Sequence, residues 1–148
     1  MLISKEMGLW CRKPNNNKKN NMATRSIIAK LDDKGIQAIY CHNDGYLSNN
    51  GKILDQHYQN EVKVDNLIAQ GDASSLRDTI EDTTFYMRDR GEIYKEATNL
   101  HNETVLLKYA FEECDAEVVY MFAYGYWYVY NDDVKQFIEL EEALYVRL

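Results

Sequence analysis

The chain has 148 residues, 45% hydrophobic and 28% charged, which is the composition of a single globular domain rather than of a disordered or membrane-spanning protein. Its formal net charge of −7 disfavours direct nucleic-acid binding, because acidic surfaces repel phosphate backbones, and favours basic partners. Three cysteines without a CxxC pair indicate a reducing compartment, so we expect a cytoplasmic protein with no membrane association.

Residues 1–21 differ in composition from the rest of the chain. They contain the only proline, a polar Asn/Lys tract, and five basic residues against one acidic residue, a charge of +4 that leaves −11 for residues 22–148. Such polar tracts bury too little apolar surface to offset the entropy of ordering. We therefore predict a flexible N-terminal extension, either dispensable or a functional arm, and a single domain over residues 22–148 that starts afresh at Met22.

The domain begins with a predicted hairpin. Residues 26–31 and 36–41 are short apolar runs rich in isoleucine, and the sequence DDKG between them is typical of a turn. Two short helices follow, the first capped by Asn49 or Asn50 and the second by Asn60. Apolar residues at helical spacing predict the buried face of the second helix, and Gly71 is well placed to end it.

The second half of the chain alternates between predicted strands and predicted helices. Residues 83–92 (TTFYMRDRGE) predict a strand that runs into a turn, and residues 102–114 predict a helix. Aromatic and β-branched residues on both sides of Tyr124 and Gly125 predict a second hairpin, while the C-terminal segment fits a helix or a strand. This order predicts an α+β fold, an antiparallel sheet with short helices packed on one face.

The loop after the first hairpin concentrates reactive residue types. His42 and Asp44, together with His57 or His101, match the two-histidine, one-carboxylate pattern of iron sites. Chance matches are easy with three scattered histidines, and the chain lacks the many strands that usually carry this set. We therefore predict no metal and no other cofactor.

A thiol-dependent enzyme is the second reading of this loop. Cys41 would be the nucleophile, but its neighbour His42 points to the opposite face of a strand, which leaves His57 or His101 as the base. The Asn43-Asp44-Gly45 sequence is more typical of a structural turn, which we favour. If the loop binds a ligand, His42, Asp44 and Tyr46 are the first candidates.

Arg88 and Arg90 lie two residues apart, so a strand would place both guanidinium groups on one face. With two aromatic residues nearby, they would suit a phosphate-bearing ligand, and the protein would then sequester a nucleotide signal. The alternative is that Asp89 and Glu92 pair with these arginines across a solvated turn.

An aromatic block near the C-terminus is the strongest candidate for a partner-binding surface. Strand alternation places Tyr126, Tyr128 and Tyr130 on one face, and Trp127 and Val129 on the other. One face must be core, and the second would expose a row of tyrosines. An acidic set follows it: Asp132, Asp133, Glu139, Glu141 and Glu142. The simpler alternative is that the block is only core.

Four segments (residues 22–26, 39–58 without 55 and 56, 67–76 and 88–92) resemble a family of small phage and prophage proteins that share a Tyr-Cys-His-x-Asp-Gly-Tyr core. This chain has Asn43 and Leu47 where an aromatic residue and a proline are expected. The resemblance implies a setting in the host bacterial cytoplasm, where small acidic phage proteins block host machinery, anti-CRISPR inhibitors among them. The leading hypothesis is therefore a non-enzymatic inhibitor whose acidic, tyrosine-rich surface binds a host protein or nucleoprotein complex with a basic surface. The sequence leaves its oligomeric state open.

Overall fold

A mostly antiparallel sheet of eight strands forms the centre of the computed structural model, which describes residues 23–145. The predicted N-terminal extension lies outside the described residues. The strands are β1 Ser26–Asp32, β2 Gly35–Cys41, β3 Ala73–Ser75, β4 Thr84–Phe85, β5 Thr98–Leu100, β6 Val118–Ala123, β7 Tyr126–Asn131 and β8 Gln136–Glu139. The α-helices are α1 Lys52–His57, α2 Glu61–Ala69, α3 Tyr86–Arg90, α4 Glu103–Lys108 and α5 Leu140–Tyr145. Two π-helical turns adjoin them, Leu47–Gly51 before α1 and Tyr109–Glu113 after α4.

The strands lie in the order β4-β3-β2-β1-β6-β7-β8, and β5 pairs with the other end of β2. Both predicted hairpins are confirmed, since β1 pairs with β2 and β6 pairs with β7 in antiparallel register. Two pairings are parallel, β1 with β6 and β2 with β3. The sheet therefore has one end at β3 and β4 and its opposite end at β7 and β8.

Helices cover both faces of the sheet. On one face α1, α2 and α5 pack over a core that includes Ile28, Leu67 and Trp127. On the other face α4 and the following π-helical turn pack over Ile27 and Met121. The α+β class is confirmed, and the single helical layer that we predicted accounts only for the first face. The second layer follows from β1, whose first five residues are all buried, as in strands with core on both faces.

Long-range contacts tie these layers together. The buried Lys30 of β1 forms ion pairs with Glu61 and Asp65 of α2. The indole Nε1 of Trp127 donates to the carbonyl oxygen of Tyr58, just after α1, over 2.8 Å. The sheet is therefore joined to α2 through β1 and to the end of α1 through β7.

Local predictions had mixed outcomes. The cap at Asn60 is confirmed, because its side chain accepts a hydrogen bond from the Lys63 amide, and Gly71 follows α2 with φ +85°. The cap predicted at Asn49 or Asn50 is wrong, because the chain enters α1 through a π-helical turn. The C-terminal segment forms both predicted alternatives, strand β8 and then helix α5.

Among residues 23–145, no helix is both long and apolar enough to cross a membrane.

Candidate functional site

The loop after β2 is held by buried hydrogen bonds to the sheet. The Gly45 amide donates to the Thr24 carbonyl over 2.8 Å, and the Tyr120 hydroxyl donates to the Gly45 carbonyl over 2.6 Å. A Cβ atom on Gly45 would lie 2.6 Å from the Cβ atom of Ser26, so only glycine fits between the loop and β1. This loop is a structural junction, as its turn residues predicted.

Cys41 belongs to that junction and has no features of a nucleophile. The side chain is fully buried, and the amide of Asn50 donates to its sulfur over 3.5 Å. Burial raises the pKa of the Cys41 thiol to about 11, so the reactive thiolate is scarce at neutral pH. His57 lies on α1, and its Nε2 atom is 3.6 Å from the Asp78 carboxylate.

The histidine and carboxylate set suggested for iron is not assembled in the described part of the chain. There, no group of three or more His, Cys, Asp or Glu residues is arranged to hold a metal ion. His42 contacts Tyr40, while His101 is exposed after β5. The other two loop candidates make contacts within the loop: the Asp44 carbonyl accepts from the Asn49 side chain, and the Tyr46 carbonyl accepts from the Asn49 amide.

The two arginines predicted to share a strand face do not do so. Strand β4 ends at Phe85 and residues 86–90 are helical, so Arg88 and Arg90 project from different sides of α3. The Arg88 guanidinium donates to the carbonyls of Ile80 and Thr83 and to the Asp89 carboxylate. The pairing with Asp89 that we considered as the alternative is therefore present, and Arg88 is a structural residue.

Arg90 instead joins a group of cationic and aromatic side chains near the β3–β4 end of the sheet. We call this group the cationic cluster, and its members are Arg25, Tyr40, His42, Tyr86 and Arg90. The Arg90 guanidinium lies over the Tyr86 ring at 5.1 Å, and the Tyr40 hydroxyl lies 2.8 Å from His42 Nδ1. Burial lowers the pKa of His42, and the positive charges of Arg25 and Arg90 lower it further.

At the opposite end of the sheet, tyrosines and carboxylates lie along β7, in the turn that follows it and on β8, and we call this set the acidic-aromatic face. Its members are Tyr126, Tyr128, Asp132, Asp133 and Glu139. Tyr126 is 63% exposed, and the half-buried Tyr128 lies directly opposite Glu139 of β8. Asp132 and Asp133 are exposed in the turn between β7 and β8. The predicted alternation is confirmed, since Trp127 and Val129 are in the core.

Tyr130 has a different role from the other two tyrosines. Its ring packs between Phe137 at 5.3 Å and Phe111 at 5.9 Å, so it joins β7 and β8 to the π-helical turn beneath them. Tyr124, which the sequence reasoning missed, is 83% exposed at the tip of the β6–β7 hairpin, next to Tyr126. Its position in the turn was the available signal, because a hairpin tip exposes whichever residue occupies it.

No protein-family model, curated protein or solved structure is significantly similar to this chain. The phage-family resemblance therefore stays a prediction, and the functional argument rests on the residues themselves.

Proposed function

We propose that the protein is a non-enzymatic inhibitor whose acidic-aromatic face docks on the basic surface of a protein or nucleoprotein complex. In the phage setting that the resemblance implies, this partner is a host defence component that handles nucleic acid in the cytoplasm. The observation that carries the proposal is the exposed Tyr126 at the start of a strand that continues through the Tyr128–Glu139 pair and leads into the acidic turn.

Charge supports a basic partner. Residues 124–145 contain five carboxylates and a single lysine, Lys135, which already forms an ion pair with Asp132 at 3.1 Å. The surplus negative charge is exposed, so it can steer a basic surface into contact before short-range contacts form. A groove that binds nucleic acid has the required charge, and occupying it would block the nucleic acid.

The tyrosines support a protein partner. Tyrosine provides a large, rigid contact area at low entropic cost and keeps one hydrogen-bonding group, and it is enriched at the centres of interfaces. Tyr130 packs against Phe137 of β8, so the strand that carries Tyr126 and Tyr128 is anchored to its neighbour before binding. A surface that is ordered in advance loses less entropy when it docks.

The test is affinity capture from host lysate with four forms of the protein: the wild type, a face variant, a matched control and Tyr126→Ala. The face variant combines Asp132→Asn, Asp133→Asn and Glu139→Gln, which removes charge but keeps side-chain shape. The matched control removes the same charge elsewhere through Asp33→Asn, Glu112→Gln and Glu117→Gln, all at exposed positions. We expect a partner that the wild type and the control retain and that the face variant loses. Tyr126→Ala should also bind this partner more weakly, although it changes no charge.

A partner that all four proteins retain equally would contradict this assignment of the docking surface. Equal loss with the face variant and with the matched control would contradict it as well, because binding would then follow net charge alone.

A further inference from the structure

We propose that the cationic cluster binds a phosphate-bearing small molecule, with His42 and Arg90 as direct donors and Arg25 beneath them. This site lies near the β3–β4 end of the sheet, away from the acidic-aromatic face, and does not depend on the proposed docking function. Of the two arginines that the sequence suggested for such a ligand, the site keeps Arg90, and Arg25 takes the place of Arg88.

The hydrogen bonds and ion pairs that Arg25 and Arg90 lack support the proposal. Arg25 is only 2% exposed, yet its Nε atom has no hydrogen-bond acceptor in the part of the chain that the structure describes. Within residues 23–145 neither Arg25 nor Arg90 forms an ion pair with a carboxylate. Buried polar groups in native proteins are nearly always satisfied, so an unsatisfied guanidinium nitrogen indicates a ligand or solvent molecule at this position.

The ring nitrogen of His42 that carries the proton decides whether His42 can donate to a ligand. Burial raises the pKa of the Tyr40 phenol far above neutrality, so its hydroxyl keeps its proton, and Arg25 is within hydrogen-bonding reach of the same oxygen. Arginine can only donate, so the hydroxyl can accept from Arg25 and still has its own proton to donate to His42 Nδ1, 2.8 Å away. In the tautomer in which the Tyr40 hydroxyl donates to Nδ1, neutral His42 carries its proton on Nε2, and the half-buried ring presents an N–H donor without needing a positive charge.

The electrostatic field of the cationic cluster favours an anionic ligand. The Lys95 ammonium lies over the Tyr86 ring at 5.6 Å and adds a third positive charge to those of Arg25 and Arg90. The nearby Asp72 carboxyl is buried and accepts from the Tyr40 amide over 2.9 Å, so it is not exposed to compete for the site. In a protein of net charge −7, these three positive side chains form a local cluster of the opposite sign.

The chemistry of the donors selects the ligand class. A guanidinium and an imidazole N–H match the tetrahedral oxygens of a phosphate group. The Tyr86 ring already carries Arg90 and Lys95, so it is not free to stack on a nucleobase. We therefore expect inorganic phosphate or a simple phosphate monoester to be recognised through the phosphate itself.

The test is thermal unfolding of the full chain in sodium phosphate and in sodium chloride at equal ionic strength. A ligand that binds only the folded state raises the melting temperature in a saturable way. We expect phosphate to do so beyond chloride, and Arg90→Gln to weaken its affinity about tenfold, the usual effect of losing a charge-assisted hydrogen bond. Arg77→Gln is the matched control, because the side chain of this exposed arginine donates to the carbonyl of Leu76 and, among the described residues, to no other group.

His42→Gln provides a second variant that keeps a side-chain N–H donor but changes its position, and it should also weaken phosphate binding. Adenosine monophosphate serves as a second probe: a shift equal to that of inorganic phosphate assigns recognition to the phosphate, and a larger one adds contacts with the organic part. Equal stabilisation by phosphate and chloride would overturn the proposal, as would equal phosphate responses from Arg90→Gln and Arg77→Gln.

Discussion

Asn50 illustrates how single buried polar residues organise this protein. Its side chain is fully buried and donates to Ser26 Oγ at 3.3 Å and to Cys41 Sγ at 3.5 Å, which joins the loop to both strands of the first hairpin. The sequence predicted a helix cap at this residue, because asparagine before an apolar run is a common capping signal. The contacts that define its actual role come from β1 and β2, which a local pattern cannot reveal.

Asp72 provides a test at the same scale. Burial raises the pKa of its carboxyl to about 7, although the hydrogen bond from the Tyr40 amide and the charge of Lys95 both lower it. An unfolded aspartate has a pKa of about 4, so between about pH 4 and pH 7 the folded state binds a proton that the unfolded chain has lost. Stability should therefore fall as pH rises through this window, by on the order of 4 kcal/mol, and level off above it.

Urea unfolding at a series of pH values measures this effect as the difference between the wild type and Asp72→Asn, which keeps an acceptor for the Tyr40 amide. We expect the wild type to lose stability relative to the variant as pH rises from about 4 to about 7. The exposed Asp33→Asn is the control and should track the wild type. Parallel pH profiles for the wild type and Asp72→Asn would show that Asp72 does not titrate in this window.

At the scale of elements, the sequence predicted what local patterns determine. The alternation of β7, the turn residues of both hairpins and the cap of α2 all depend on neighbours in the chain, and all were predicted correctly. Residues 86–90 were expected in a strand but form α3, which ends at Gly91 with φ +69°. Arg88 bonds carbonyls of residues 80, 81 and 83, so this helix is stabilised by a segment that the strand pattern did not include.

Two glycines that follow helices test how much packing adds to backbone strain. Gly71 and Gly91 both have positive φ, but a Cβ atom on Gly71 would lie 2.4 Å from the Lys95 carbonyl oxygen, whereas one on Gly91 would meet nothing within 4 Å. Gly91→Ala should cost about 1 kcal/mol, the usual strain of a left-handed residue. Gly71→Ala should cost at least about 3 kcal/mol, because the backbone of residues 95–96 must also move.

Equilibrium urea unfolding of the two alanine variants measures both losses, and each variant is the control for the other. Equal losses would mean that the Lys95 segment moves freely, and the close packing next to Asp72 would then not constrain the fold.

For the whole molecule, the sheet separates two surfaces of opposite charge. The acidic-aromatic face lies at the β7–β8 end, and the cationic cluster lies near the β3–β4 end. The sequence predicted the first surface because its residues are adjacent along one stretch of chain. It could not predict the second, because Arg25, His42 and Arg90 meet only when the start of β1, the end of β2 and α3 are brought together by the fold.

The central claim is that the acidic-aromatic face binds its partner through charge and tyrosine contacts. The measurement that tests it most directly is the affinity for the captured partner at increasing salt, for the wild type and for the variant with Asp132→Asn, Asp133→Asn and Glu139→Gln. We predict that salt weakens wild-type binding steeply, because it screens exposed charges, and that the variant binds more weakly with a shallower salt dependence. Wild-type affinity that is unchanged between low and high ionic strength would contradict the account.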